Sequence, residues 1–381
     1  MEHIGYNLTQ DQISLRDRAR HIANAYIKPR VEEIDKKGEF PWDIQNAFKE
    51  EGFLGIGIPK EYGGSERGAL ACALVLEEIA RVCTTSVIIC GQAILGTKMI
   101  VGAGSHEQKS KYLPPVARGE MIASVAMTEP EAGSDSAALR TRAVKKGNEY
   151  ILNGTKLWIT NSDVCDLFTA FAKTDPEKGR AGISAFIIDR DTPGVTVGKH
   201  EDKMGSTAIH TCEVVFEDCV VPKENLVGEE GEGFLIGRRL FGETRYITAS
   251  RAIGLARGVL DYTVEFVKEN GINSELTNSK VAEMATKIEA GRHLLYKACS
   301  EVERRSKDAR IRVSMAKYFC SSVAVEVPII ALEILGKHGY TPKYPIERMM
   351  CDAKVTQIAE GTSQIQCAII GGALSRGEFY H

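Results

Sequence analysis

Ala143-Val144-Lys145-Lys146, Tyr150-Ile151-Leu152-Asn153, Leu167-Phe168-Thr169-Ala170-Phe171-Ala172-Lys173 and Ile183-Ser184-Ala185-Phe186-Ile187-Ile188 are short runs set apart by Gly, Pro, Asn and Asp. Val195 to Val197 and Cys212 to Val215 continue the series. That length and punctuation predict a compact β-domain of short strands. On either side the period lengthens. Thr9 and Gln12 have capping-box spacing, and Ile13, Ala19, Ile22, Ala23, Tyr26 and Ile27 then recur every three or four residues. Helical patterns follow from about Pro41 to Glu51 and from Ala69 to Val82, and continue to about Gly119. Past Gly228-Glu229-Glu230-Gly231-Glu232-Gly233 the helical period returns over Thr248–Lys268, Asn278–Glu303 and Arg312–Leu335. Helices around a block of strands predict an α+β protein: a helical domain over 1–120, a β-domain over 121–230 and a helical bundle over 231–381.

The 381 residues leave room for two or three packed units at roughly 150 residues each. With 48 basic against 51 acidic residues and no run of like charge, the composition argues against a nucleic-acid or polybasic membrane partner. No apolar stretch is expected to approach the roughly 20 residues of a membrane span. Met1 to Tyr6 lack a signal-peptide core and an Arg-rich transit pattern. Ten cysteines are scattered without a C-x-x-C pair or a histidine cluster, which predicts reduced thiols in a cytoplasmic protein and no metal site. No G-x-G-x-x-G follows a strand, which argues against a Rossmann cofactor site.

Three segments can carry chemistry. Thr128-Glu129-Pro130-Glu131-Ala132-Gly133-Ser134-Asp135 follows the apolar run Ile122 to Met127. A strand entering such a loop can aim N–H groups and hydroxyls at an anion or a polar ring edge, or it can be a plain turn with Asp135 as a cap. Leu157-Trp158-Ile159-Thr160-Asn161 places one of two tryptophans at a strand end, to cover an aromatic cofactor or to fill the core. Gln357-Ile358-Ala359-Glu360-Gly361-Thr362-Ser363-Gln364-Ile365-Gln366 puts Glu360 just before a helix, with Ser363 and Gln366 at capping-box spacing. A carboxylate there is either a base whose pKa an apolar pocket raises, or a solvated group favoured by the helix dipole.

Together these segments resemble the acyl-CoA dehydrogenase family, and the likeness spans nearly the whole chain. It also takes in Ile58-Pro59-Lys60-Glu61-Tyr62-Gly63-Gly64, Val221-Pro222-Lys223-Glu224-Asn225, Tyr344-Pro345-Ile346-Glu347-Arg348 and Asp352-Ala353-Lys354. The resemblance implies a helical domain, a central β-domain and a C-terminal four-helix bundle. It also implies FAD and an oxidation of an acyl thioester between its α and β carbons. By matching position, Glu360 is the base that takes the α-proton while hydride passes to flavin N5. The resemblance also implies that a flavin ribityl hydroxyl and the Glu360 N–H polarise the thioester carbonyl. Val125, Met127, Thr128 and Ser134 match flavin or phosphate contacts, Trp158 and Thr160 the ring and N5, and Thr362 and Gln364 the C-terminal flavin contacts. Ser134, Gly361 and Arg245 match the substrate side, with a structural ion pair as the alternative for Arg245. Some members place the base on an earlier helix; that position is Thr244 in this chain, with Glu243 one residue before it.

The chain departs from the family pattern at four places. The segment from Lys268 to Asn278 lacks the residues that reach a neighbouring subunit's FAD. Glu333 stands where a glutamine meets the dinucleotide, a repulsive choice unless Lys337 or a metal compensates. Gly242 replaces a common aspartate, and Cys367 a common arginine. The resemblance implies an acyl-CoA substrate, an electron-transfer flavoprotein as acceptor and a homo-oligomer, dimer or tetramer. The altered substrate-side residues leave open the same chemistry on an acyl or aminoacyl group, such as prolyl, held by a carrier protein. A non-catalytic relative and a flavin monooxygenase are the further alternatives.

Overall fold

The computed structural model describes residues 8–379. The reading of Met1 to Tyr6 therefore lies outside the described residues. The N-terminal helices are α1 (Gln10–Ile22), α2 (Val31–Lys37), α3 (Trp42–Glu50), α4 (Ala69–Ala80), α5 (Thr84–Ala103) and α6 (His106–Ala117). The expected capping box forms: Thr9 Oγ1 accepts from the Gln12 N–H at 3.2 Å, and Gln12 Oε1 accepts from the Thr9 N–H at 3.0 Å. The Gly63-Gly64 turn depends on glycine, since Gly63 has φ +83° and a Cβ on Gly64 would lie 2.0 Å from the Ile58 carbonyl oxygen.

The β-domain comprises β1 (Ala123–Ala126), β2 (Arg142–Lys146), β3 (Glu149–Thr160), β4 (Leu167–Lys173), β5 (Ile183–Asp189), β6 (Val195–His200), β7 (Thr211–Pro222) and β8 (Leu226–Val227). They form one sheet in the order β6-β7-β3-β2-β4-β5-β8, with β1 parallel to β4. Both faces of the β4–β5 pair are covered. Leu167, Phe171, Ala185 and Ile187 pack towards the helices, while Phe168, Ala170, Phe186 and Ile188 pack into the sheet's own core. That split follows the two-residue period of a strand. β3 and β7 run well past the predicted Asn153 and Val215, because bulges at Leu152/Gly154 and Lys156/Ile159 break the alternation without ending the pairing.

Helices return as α7 (Gly233–Glu243), α8 (Tyr246–Glu269), α9 (Glu275–Glu303), α10 (Ala309–Leu335), α11 (Ile346–Lys354) and α12 (Ser363–Ser375). α8, α9 and α10 pack on one another, α12 packs on α10, and α4 lies across α8. The N-terminal helices and this bundle share one continuous core. α5 bridges the domains: a Cβ on Gly96 would lie 2.3 Å from the Ala123 oxygen, and one on Gly91 would lie 3.0 Å from Ile247 Cγ2. The Asp-Ala-Lys motif has a structural role here. Buried Asp352 accepts from Thr84 Oγ1 and from the Ser206 N–H, both at 2.6 Å, and so joins α11, α5 and the β-domain.

Two expectations need correction. Thr84–Ala103 and Ala309–His338 are long and apolar enough to cross a membrane, with mean hydropathy 1.6 and 1.8. In the fold the first is mostly enclosed by protein and the second about half, and long core helices of this kind meet the same criterion as membrane spans. The cap of α12 is also displaced by one residue. Thr362 Oγ1, not Ser363, accepts from the Ile365 N–H, at 3.3 Å, while Gln366 turns back to donate to the Gly361 carbonyl at 2.8 Å. The cysteines are all free. Eight are buried, Cys351 is half-buried and Cys367 is exposed.

Candidate active site

Glu360 and Gly361 both have left-handed backbone, with φ +55° and +88°. For a glutamate that conformation is strained, and surrounding contacts must hold it. Lys317 does so from α10. Its side chain is fully buried, and Nζ donates to the Gly361 carbonyl at 2.6 Å, beside the bond from Gln366. The Glu360 residue is partly exposed, but its carboxylate is deep. Oε1 accepts from Thr248 Oγ1 at 2.6 Å, and Oε2 is buried without a partner. Burial raises the Glu360 pKa; the Thr248 hydroxyl and the charges of Lys317, Arg245 and Arg251 oppose that rise without cancelling it.

None of those cations is spent on the carboxylate. Arg245 Nη1 donates to Ser314 Oγ at 3.0 Å, and Arg251 Nη2 to Ser206 Oγ at 2.7 Å. Desolvation lowers the Arg245 pKa to about 10, helped by the charge of Arg310, and lowers that of Lys317 to about 8. The ion-pair alternative for Arg245 is thus reduced to a longer-range attraction to Glu360. Thr244, the alternative base position, is buried in the turn between α7 and α8. Its hydroxyl donates to the Phe241 carbonyl at 3.3 Å.

A second group gathers on the β-domain. The Leu157 N–H donates to the Thr128 carbonyl at 2.9 Å, and Ser124 Oγ to the Thr160 carbonyl at 2.6 Å, which brings the β1 end and the β3 end together. Val125, Met127, Thr128 and Thr160 are half-buried on this face. Trp158 sits in the Lys156/Ile159 bulge at φ +60° and is 50% exposed, so the core reading for this tryptophan is excluded. The Thr128–Asp135 loop is anchored rather than merely turned. Glu129 accepts from fully buried Lys156 at 2.7 Å and from Thr141 Oγ1 at 2.6 Å. Asp135 makes no side-chain cap, and Ser134 is exposed beside Gly133. Gln364 is exposed on the first turn of α12. Glu360, Gly361, Thr362 and Arg245 thus cluster at the bundle, and Val125, Met127, Thr128, Trp158 and Thr160 at the sheet.

Thr248, Lys317, Arg251 and Gln366 were not singled out from sequence. Lys317 had a usable signal, since it stands alone in the apolar run Val313 to Ala324.

Residues 9–120, 124–219 and 231–375 match the N-terminal, middle and C-terminal domains of acyl-CoA dehydrogenases. The chain is 40% identical over 379 residues to an acyl-CoA dehydrogenase of Bacillus subtilis, covering 97% of this chain and all of that one. The chain belongs to the acyl-CoA dehydrogenase family. It is 39% identical to a short-chain-specific acyl-CoA dehydrogenase of Clostridium acetobutylicum, with 97% and 100% covered. Among solved structures, a chain from work on the electron transferring flavoprotein of Acidaminococcus fermentans superposes with TM-score 0.95 at 42% identity, covering 97% of this chain and 99% of that one. Butyryl-CoA dehydrogenase of Megasphaera elsdenii gives 0.93 at 36%, with 97% and 100% covered. A prolyl acyl carrier protein oxidase gives 0.91 at 32%, with 96% and 99% covered. The protein is an acyl-CoA dehydrogenase-type oxidoreductase, and its cofactor is FAD.

Against this family background, the chain's departures acquire partners. Glu333 pairs with Lys280 at 2.5 Å rather than with Lys337. The segment after α8 closes in a short turn, where Gly271 has φ +60° and Ser274 caps α9. A Cβ on Gly242 would meet the Arg310 side chain at ordinary contact distance, Cδ and Cγ at 3.8 Å and Nε at 3.9 Å.

Proposed function

We propose that this protein dehydrogenates an acyl thioester between its α and β carbons, with acyl-CoA as substrate and Glu360 as the base for the α-proton. The observation that carries the reading is the Glu360 carboxylate, buried with one oxygen held by Thr248 and the other free. A carboxylate stripped of water is a stronger base than one in solution, and its free oxygen can accept a proton without first breaking a hydrogen bond. Thr248 fixes the carboxylate's direction, and Lys317 with Gln366 fixes the backbone from which it projects. The Glu360 N–H would donate to the thioester carbonyl, favouring the charge that develops as the α-proton leaves.

The residues present fit FAD. The outward Trp158, the half-buried Thr128 and Thr160, and the exposed Ser134 offer a flat apolar cover beside hydroxyls. We assign Val125, Met127, Thr128, Ser134, Trp158 and Thr160 to it, with Thr362 and Gln364 from α12. FAD, when bound, supplies the acceptor for the hydride from Cβ. Ser134, Arg245 and Gly361 would line the substrate side. A homo-oligomer and an electron-transfer flavoprotein as acceptor complete the reading; the described Acidaminococcus flavoprotein system supports the latter.

A carrier-bound acyl or aminoacyl group is the second reading, favoured by Gly242 and Cys367 and by the likeness to the prolyl acyl carrier protein oxidase. The two readings separate by anaerobic flavin bleaching with matched acyl-CoA and acyl-carrier substrates. Fast, salt-insensitive bleaching by an acyl-CoA supports the first, and slow bleaching that only the carrier form restores supports the second. In either case Glu360→Gln should retain FAD and lose flavin reduction.

A further inference from the structure

Asp163, His200 and His210 lie far apart in the sequence yet bring one carboxylate oxygen and two ring nitrogens within 4.8 Å of one another. They come from the turn after β3, the end of β6 and the approach to β7. His210 Nε2 lies 2.7 Å from the Gly38 carbonyl oxygen, at the end of α2. A carbonyl only accepts, so Nε2 carries a proton there, and Nδ1 faces Asp163 Oδ2. The His200 Nε2 atom lies 3.2 Å from the same oxygen. The two rings stack with centroids 3.8 Å apart and planes tilted by 26°. Asp163 Oδ1 is buried and unpartnered. Two imidazole nitrogens and a carboxylate oxygen thus gather within reach of a single small cation.

We propose that Asp163, His200 and His210 form a binding site for one zinc-class divalent cation. Two imidazoles and a carboxylate are a donor set suited to Zn²⁺, which takes four ligands tetrahedrally. Edges of such a tetrahedron are roughly 3.3 Å for bonds of about 2 Å, close to the His200–Asp163 separation, while His210 and Asp163 stand closer and would part slightly to share a cation. His210 already has the outer support of a metal-bound histidine, its other ring nitrogen donating to a backbone carbonyl. His200 is the most exposed of the three, which leaves the fourth position to water. Lys203 is the competing cation nearby: burial disfavours its charge, while Cys212, Asp163, Asp202 and Glu201 favour it. A cation here would tie β6, β7 and the turn after Trp158–Thr160 to one another, and through Gly38 to the N-terminal helices.

The test uses FAD-loaded Cys367→Ser protein, because the exposed thiol of Cys367 can take zinc by itself. After dialysis against a chelator, zinc binding is measured by titration calorimetry and by metal content. The expected result is one zinc per chain, with an X-ray absorption edge showing nitrogen and oxygen ligands at about 2.0–2.2 Å and no sulfur near 2.3 Å. His210→Ala and Asp163→Asn should each weaken binding by more than the roughly 10- to 100-fold that loss of a supporting hydrogen bond costs. His200→Ala, at the most exposed ligand, should do the same in a protein that folds normally. No stoichiometric zinc, sulfur in the absorption spectrum, or zinc binding unchanged by His200→Ala would overturn the proposal and leave a plain histidine–carboxylate pair.

Discussion

The chain buries carboxylates in two places and treats them in opposite ways. Glu77 and Glu78 on α4 are about 1% exposed, and four guanidinium groups converge on them. Arg257 and Arg292 reach Glu77 at 2.6 and 2.9 Å, while Arg20, Arg257 and Arg81 reach Glu78 at 3.0, 3.2 and 3.4 Å. Burial would raise the Glu78 pKa, but Arg20, Arg257 and Arg81 hold it down to about 2. At Glu360 burial prevails. The cations nearby are hydrogen-bonded to Gly361, Ser314 and Ser206 instead, and the pKa goes up. A carboxylate taken out of water thus becomes a structural tie where charge is matched and a base where it is not.

Opposite signs follow for stability against pH. Glu78 is depressed on folding, so its contribution is present above 4.5 and lost as pH falls from there towards about 2, a loss of about 3 kcal/mol. Glu360 is raised, so its contribution is present below 4.5 and lost as pH rises through its folded-state pKa.

The contrast can be broken most sharply at its two carboxylate sites. Glu360→Gln should cut the rate of anaerobic flavin reduction by roughly 10² to 10⁴ while leaving the fold intact and slightly more stable near neutral pH. Normal reduction in that variant, with loss in Glu243→Gln, would move the base to α7. Arg257→Met should do the reverse: it should destabilise by about 3–5 kcal/mol in denaturant titration, because two buried carboxylates lose a partner, yet leave flavin reduction in the folded fraction unchanged.

Lys317→Met sharpens the comparison on the catalytic side. Losing the bond to Gly361 should loosen the Glu360 backbone and slow reduction by about 10- to 100-fold. It should also raise the apparent pKa of the step, because a cation near Glu360 is gone; a slower rate with an unmoved pH profile would mean that Lys317 acts on packing alone. Glu333→Gln marks the small end. Its pair with Lys280 is exposed, so stability should change by at most about 1 kcal/mol. Relief of the repulsion expected of Glu333 would make FAD tighter in this variant; with Lys280 already paired to Glu333, FAD dissociation should change by less than tenfold.

What the sequence disclosed tracks the range of the forces involved. Local period and caps marked α1, β4 and the long bundle helices, because each signal lies within a few residues. Glu360 was legible through the Glu-Gly-Thr motif and its family resemblance. The environment that makes it a base was not, since Thr248 and Lys317 lie on other helices 112 and 43 residues away. Trp158 kept two readings until the bulge turned it outward. Asp163, His200 and His210 were invisible as a group because no spacing rule joins a turn, a strand end and a strand approach. Glu77 and Glu78 were not singled out from sequence; the packing of α1, α8 and α9 around α4 supplies most of their arginines.

The most direct measurement is the pH dependence of the flavin-reduction rate under anaerobic single-turnover conditions, in the native protein and in Thr248→Val. Thr248 donates the one hydrogen bond that Glu360 accepts through its carboxylate, and that bond lowers the pKa. The undercompensated-base account predicts a rate that rises with pH around a midpoint above 4.5, and a midpoint higher still in Thr248→Val. A midpoint at or below 4.5, or one that Thr248→Val leaves in place, would contradict it.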